Sequence, residues 1–232
     1  MGDEGLVFAA TAAFVGTHFL LSHPLRRPLV SIVGETPFLG IYSLVSVATL
    51  AAMVWTYRSA PSTPLIWMVG ELAWGLATLI MLVASVLLVG SLMGNPALPT
   101  GGTAPRIPMQ ARGVFAVTRH PMMWSFALWG LAHIMVFPVS KNIVVSGGII
   151  ILALVGAALQ DRKKSALQPA AWHQWEAMTS YWPFAAVFDG RTKLSGPSMV
   201  VWLGGLILWL TASWAHTPLS GWPAGVWRWI NL

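Results

Sequence analysis

The stretch Leu65-Ile-Trp-Met-Val-Gly-Glu-Leu-Ala-Trp-Gly-Leu-Ala-Thr-Leu-Ile-Met-Leu-Val-Ala-Ser-Val-Leu-Leu-Val-Gly-Ser-Leu-Met93 carries one charged residue, Glu71. It is longer than the ~20 mostly apolar residues that cross a bilayer, so it can tilt or project beyond the hydrocarbon. No strand-like alternation competes, and an open sheet would leave backbone groups unpaired in lipid. Five further runs read the same way: Gly5–Ser22, Phe38–Tyr57, Met122–Val139, Ile143–Gln160 and Ser198–Ala215. The expected fold is all-α, a membrane bundle of about six transmembrane helices.

Composition agrees. Of 232 residues, 56% are hydrophobic and 9% charged, against roughly 25% charged in a soluble domain. No linker divides the chain, so residues 1–232 are read as a single transmembrane domain. The net charge of +6 fits basic loops facing anionic lipid rather than nucleic acid. The absence of cysteine excludes disulfides, thiolate ligands and iron–sulfur clusters held by this chain. The start, Met1-Gly-Asp-Glu, lacks a basic n-region, so the first run is expected to be a retained helix.

Loop charges set the expected orientation. With the N-terminus outside, the inner connections carry Arg26, Arg27, Arg106, Arg112, Arg119, Arg162, Lys163, Lys164, Arg191 and Lys193. The outer side keeps Arg58, Lys141 and Arg228. That positive-inside bias puts both termini on the outer side of a membrane of the bacterial inner type. Asn95–Pro108, rich in Pro, Gly and Thr, is expected to be irregular and mobile. Ser165–Trp182 spaces Trp172, Trp175, Met178 and Trp182 as an amphipathic helix in the cytoplasmic interface. Most of the 14 tryptophans read as interfacial belts.

His18 and His133 stand inside apolar runs. An ionisable ring in hydrocarbon is costly unless its lone pair is used, and neutral imidazole is a common metal ligand. Charge cost alone leaves each ring open between packing and ligation. His120, before Pro121, reads as the surface end of a helix, and His23 and His173 as interfacial. His216, beside Thr217-Pro218, ends the last run near the outer end of the helix carrying His133. Depth complicates a shared metal. His133 lies 13 residues beyond His120, about 20 Å along a helix axis. His18 lies five residues from His23, about 7 Å by the same rise. Unless tilt levels them, His18 pairs better with His120, and His133 with His216.

Carboxylates contribute little: Glu71 suits a helix N-terminus, and Glu35 falls in a turn near Arg26 and Arg27. No phosphate-binding loop, dinucleotide fingerprint or nucleophile elbow occurs.

The residues do resemble a family. Thr118-Arg-His-Pro-Met-Met-Trp124 with Leu128-Trp-Gly-Leu-Ala-His133 is similar to the signature of the NnrU family, which includes the plant and algal 15-cis-zeta-carotene isomerases. So are His18-Phe-Leu-Leu-Ser-His-Pro-Leu-Arg26 leading to Gly34-Glu35 and Tyr42-Ser-Leu44, the block Asp161-Arg162 with Tyr181-Trp-Pro-Phe-Ala-Ala186 and Asp189-Gly-Arg191, and Ala215-His-Thr-Pro-Leu219. The resemblance implies a haem b protein whose iron is held by two histidines, matching His18 and His133. It implies redox-gated cis-trans isomerisation of a polyene such as 15-cis-zeta-carotene, with an electron donor and membrane lipid as partners. Gly130 stands where the isomerase motif has a cysteine, leaving histidine as the ligand type. Arg26, Arg112 and Arg119 are candidate propionate partners, with His120 and His216 as alternative ligands.

Two other classes compete. The bacterial NnrU branch implies an accessory or sensor protein in denitrification and nitric oxide metabolism. Arg119-His120-Pro121 also resembles membrane S-adenosylmethionine-dependent methyltransferases of lipid substrates. There Asp161-Arg162 replaces paired glutamates, and Ser125 stands near an expected glycine.

Overall fold

A computed structural model describes residues 2–98 and 107–230. The helices in chain order are α1 (Asp3–Ser22), α2 (Arg26–Val33), α3 (Glu35–Ser59), α4 (Glu71–Ser91), α5 (Val114–Val117), α6 (Pro121–Val136), α7 (Ser140–Leu167), α8 (Pro169–Met178), α9 (Ala185–Phe188), α10 (Met199–Ser220) and α11 (Trp227–Ile230). No strand occurs among the described residues. Most of the irregular stretch expected at Asn95–Pro108 lies outside them.

Five helices, α1, α3, α4, α7 and α10, are long and apolar enough to cross a membrane. The sixth expected span is apolar but short. Helix α6 has 16 residues, about 24 Å at the α-helical rise, where the run Met122–Val139 had promised more. Proline at both ends explains this. Pro121 occupies the first turn, which suits its missing N–H. Pro138 disfavours helical geometry at Phe137, which leaves the helix at φ −139° and ψ 69°.

The third run also starts later than expected. Leu65–Gly70 is not helical, and its backbone is bonded elsewhere: the Ile66 N–H donates to the Pro138 carbonyl at 2.8 Å. The Lys141 ammonium caps the same end, donating to the Ala60 carbonyl at 2.6 Å and the Tyr57 carbonyl at 3.2 Å. These bonds tie the loops at the end of the bundle expected to face outward.

Helix α7 is the spine: α1 and α6 pack against it, α3 packs on α1, α4 on α6, and α10 on α4. Small residues set these contacts, as is common where helices meet in lipid. The Thr11 methyl sits directly over Gly148. A methyl at Gly130 would come within 2.8 Å of the Ser146 carbonyl. One at Gly205 would come within 2.8 Å of the Val86 backbone. Outward faces keep large apolar side chains exposed, including Leu44, Leu79, Ile151 and Ile207, the pattern of helices solvated by lipid tails.

The dense core lies at the opposite end from Lys141. Val86, Leu87, Val114, Phe115 and Val201 pack there around Trp172 and Trp175, both 0% exposed. The stretch Ser165–Trp182 is divided: helix α7 runs on to Leu167, α8 covers Pro169–Met178, and Trp172 and Trp175 of α8 are buried against protein. Trp182 alone of the spaced set stays largely exposed. Tryptophans at helical spacing mark an apolar face, and the partner of that face is decided by tertiary packing.

Candidate functional site

Two groups of chemistry-bearing side chains stand out among the described residues, one charged and one of imidazoles. The first is a charge cluster beside α8. Arg119 closes the turn before α6, and its Nε donates to Asp161 Oδ2 on α7 at 2.8 Å, with Nη2 2.6 Å from the same oxygen. His120 Nε2 lies 2.7 Å from Asp161 Oδ1, so the carboxylate is shared between an arginine and a histidine. Glu176 on α8 adds a looser contact to Arg119 at 3.7 Å. An open cleft of about 730 Å³ borders this cluster, lined by Arg119, Asp161, Arg162, Glu176, Tyr181 and Trp182 among others. The Tyr181 hydroxyl donates to the Leu154 carbonyl at 2.7 Å. Burial, then the Asp161 carboxylate, pushes the Tyr181 phenol above its ordinary value, and the Arg119 guanidinium opposes them.

His120 is not the surface residue its sequence position suggests. It is 2% exposed, its backbone N–H donates to Thr118 Oγ1 at 3.3 Å, and Thr118 in turn donates to the Tyr181 carbonyl at 2.8 Å. These bonds fasten the start of α6 to the segment after α8. With Nε2 held by Asp161, His120 has no free Nε2 lone pair to offer an iron. The arginines proposed for propionates each have a protein partner. Arg119 is paired as above, Arg26 pairs with Glu35, and Arg112 donates to Gln110 Oε1 at 3.0 Å.

The second locus is built from imidazoles. His133 Nδ1 lies 2.8 Å from the Trp129 carbonyl one turn earlier. His18 Nδ1 lies 2.7 Å from the Phe14 carbonyl in the same i−4 relation. A carbonyl only accepts, so each Nδ1 carries the proton and each Nε2 keeps a bare lone pair. That is the tautomer a metal ligand needs, fixed by a backbone acceptor behind it. Trp129 also stacks on His133, with ring centroids 4.1 Å apart and planes at 32°. His18 instead meets the edge of Tyr42 on α3, at 5.7 Å.

The structure does not bring these two rings level. On the α7 spine, Thr11 sits at Gly148 and Phe19 near Gly156, so His18 stands close to Val155. From the other side, Gly130 backs onto Ser146, and the His133 carbonyl accepts from Asn142 Nδ2 at 2.9 Å. The two histidines therefore differ by roughly ten residues of α7, about 15 Å in depth. His133 does have an imidazole neighbour: the His216 ring on α10 lies 5.8 Å away, centroid to centroid. Sequence spacing pointed to this pairing through depth arithmetic. It gave no sign that Asp161 would join Arg119 and His120 across 42 and 41 positions.

Among the described residues no group of three or more His, Cys, Asp or Glu side chains converges as a metal site. Comparison with known proteins adds identity to this geometry. A 90-residue stretch is 37% identical to the chloroplastic 15-cis-zeta-carotene isomerase of Zea mays. A stretch of equal length is 32% identical to the enzyme of the same name from Arabidopsis thaliana. Each covers 39% of this chain, but only 25% of the maize protein and 24% of the Arabidopsis protein. No solved structure matches. The NnrU protein family matches residues 6–224, nearly the whole length, and the chain belongs to that family.

Proposed function

We propose that this protein is a membrane-embedded cis-trans isomerase of a polyene of the 15-cis-zeta-carotene kind. The observation that carries the reading is the 37% identity to a zeta-carotene isomerase over 90 residues, in a chain whose apolar helices hold imidazoles with bare lone pairs. A polyene is long, apolar and confined to lipid, so an enzyme for it needs its reactive groups within the membrane. We place it in a membrane of the bacterial inner type, with the basic loops on the cytoplasmic side.

The cofactor we propose is haem b. The donor chemistry fits at His133: a neutral ring, Nε2 free, Nδ1 anchored to the Trp129 carbonyl, and an indole packed alongside. It does not fit for His18 and His133 on one iron, because two axial nitrogens each sit about 2 Å from the metal while these rings differ in depth by far more. When bound, such an iron would polarise or exchange an electron with the π system and so lower the barrier to rotation about a double bond. The chain's own part is orientation and exclusion. The Trp129 carbonyl holds the His133 tautomer, Trp129 limits ring rotation, and the apolar helix faces admit a hydrocarbon chain while keeping water away. Redox gating belongs to the same proposal, and His133 is the residue that would hold the iron.

The test is conversion of 15-cis-zeta-carotene by the protein in bacterial membranes, followed by chromatography of the geometric isomers. Loss of the 15-cis isomer with wild type, and at least a tenfold slower loss with His133→Ala, is expected. Wild-type protein that leaves the 15-cis isomer untouched would overturn the reading. Binding of S-adenosylmethionine together with labelling of lipid would replace it with the methyltransferase.

A further inference from the structure

A second axial ligand is required wherever a six-coordinate iron porphyrin is bound, and the sequence pairing of His18 with His133 is not level. Three observations single out another partner. The first is proximity: the His133 and His216 rings are 5.8 Å apart, tilted by 34°. Two imidazoles sharing one metal from opposite sides, each nitrogen about 2 Å away, place their centroids about 6 Å apart.

The second is the proton inventory of His216. The Ser220 hydroxyl donates its one hydrogen to the His216 carbonyl at 2.7 Å. The same oxygen lies 3.4 Å from His216 Nδ1. A proton on Nδ1 has that oxygen as its acceptor, and this tautomer leaves Nε2 of His216 its lone pair. His133 presents a bare Nε2 over an anchored Nδ1, as His18 does at its own depth, and His216 can take the same tautomer beside Ser220.

The third is space. Helices α4 and α10 run antiparallel, with Val86 on Gly205 and Val89 on Gly204. Eleven residues beyond Gly205 is His216, and eleven residues before Val86 is Gly75. Eleven residues make about three full turns, so His216 keeps the α4-facing side of α10 and Gly75 keeps the α10-facing side of α4. Gly75 and His216 are thus level and face each other. Yet nothing lies within 4 Å of the position a Gly75 side chain would take, whereas glycines deeper in the same interface are crowded. The contact between α4 and α10 is open at Gly75, on the level of His216.

Two ligands are too few for a bare Zn²⁺ or Fe²⁺, which takes four or more. They suffice for an iron whose other four positions belong to a macrocycle. We propose that His133 and His216 are the axial pair of an iron porphyrin in the opening beside Gly75. His18 is a separate imidazole outside that coordination sphere. This rests on the haem reading above and replaces its second ligand.

The experiment is absorption spectroscopy of the full chain, purified in detergent from haem-replete cells, oxidised and dithionite-reduced. Elution volume and helical circular dichroism confirm that each variant is folded. Wild type should show a low-spin, six-coordinate spectrum. His133→Ala and His216→Ala should each lose it, with haem retention down at least tenfold or a high-spin spectrum that added imidazole returns to low spin. His18→Ala should keep the wild-type spectrum, and Gly75→Leu should lower haem retention at least tenfold. His216→Gln, closer in size, gives the same reading should the alanine variant misfold. Loss of the low-spin spectrum in His18→Ala with its retention in His216→Ala would overturn the proposal, as would wild-type retention in Gly75→Leu. Isomerisation by wild-type protein that carries no haem would sink this site and leave the isomerase standing. A His133- and His216-dependent spectrum without isomerisation would do the reverse.

Discussion

Two ends of one helix tell opposite stories. At one end of α6, Arg119 is held by Asp161 and Glu176, and His120 by Asp161 and by the hydroxyl of Thr118. At the other, the His133 and His216 rings lie 5.8 Å apart, and no atom comes within 4 Å of where a Gly75 side chain would begin. Both ends carry histidine in apolar surroundings, so residue type and burial do not separate them. Satisfaction does. A buried polar group with all its partners in place fixes structure, while one whose remaining lone pair has no donor is available for a ligand. The charge cluster latches α6, α7 and α8 together, and the imidazole pair is the proposed cofactor site.

The largest effect that would break this contrast is at Asp161. Removing one partner of a buried ionic cluster strands the others, at a typical cost of about 3–5 kcal/mol. The Asp161 and Arg119 side chains are each 12% exposed, so a cost near the lower figure is expected for Asp161→Ala. A thermal melt in detergent reads it, and a melting temperature within a degree of wild type would mean that the cluster latches nothing. An effect of the same size is expected at Trp172, 0% exposed. Trp172→Ala should cost about 3 kcal/mol or more, as large-to-small changes of buried aromatics do. Trp172→Phe should cost much less, because the indole N–H finds no acceptor among the described residues. Equal losses in the two variants would show that the nitrogen matters and that its partner is a solvent or lipid group. Gly130→Val follows, since its added carbons meet the Ser146 carbonyl and Ile150. Overpacking of this kind costs about 1–3 kcal/mol, and the melt should fall accordingly with the α6–α7 contact as the weakened element.

How much of this was written in the sequence depends on the range of the interaction. The spans were legible because lipid demands long apolar runs, and α1, α3, α4, α7 and α10 fall where those runs lie. Their ends were less so. Pro138 shortens α6, and the turn Leu65–Gly70 spends its backbone on the Pro138 carbonyl instead of a helix. Trp172 and Trp175 were readable as an apolar face but not as a core, since the helix they pack under begins far away in sequence. Among the site residues, His133 and His18 were visible as ionisable groups in apolar runs, and their unequal depth was visible by counting. The union of Asp161 with Arg119 and His120, and the opening at Gly75, depend on which helices are neighbours. That order was not in any local pattern.

The smallest effect sharpens the contrast from the other side. Arg228 reaches Glu71 Oε1 at 2.7 Å, and the Trp229 indole donates to Glu71 Oε2 at 3.1 Å. This pair repeats the arginine–carboxylate chemistry of Arg119 and Asp161, but the Glu71 side chain is 64% exposed. Exposed pairs gain little Coulomb energy, lose side-chain entropy and are screened by salt. Glu71→Gln should therefore leave the melt unchanged at physiological ionic strength, with any loss confined to low salt. If it melted as early as Asp161→Ala, exposure would not be what separates the two ends. The latch would then have to be sought where α11 crosses the start of α4, close above Gly75. In that case the same substitution should also disturb whatever binds between His133 and His216, a coupling that the burial argument does not predict.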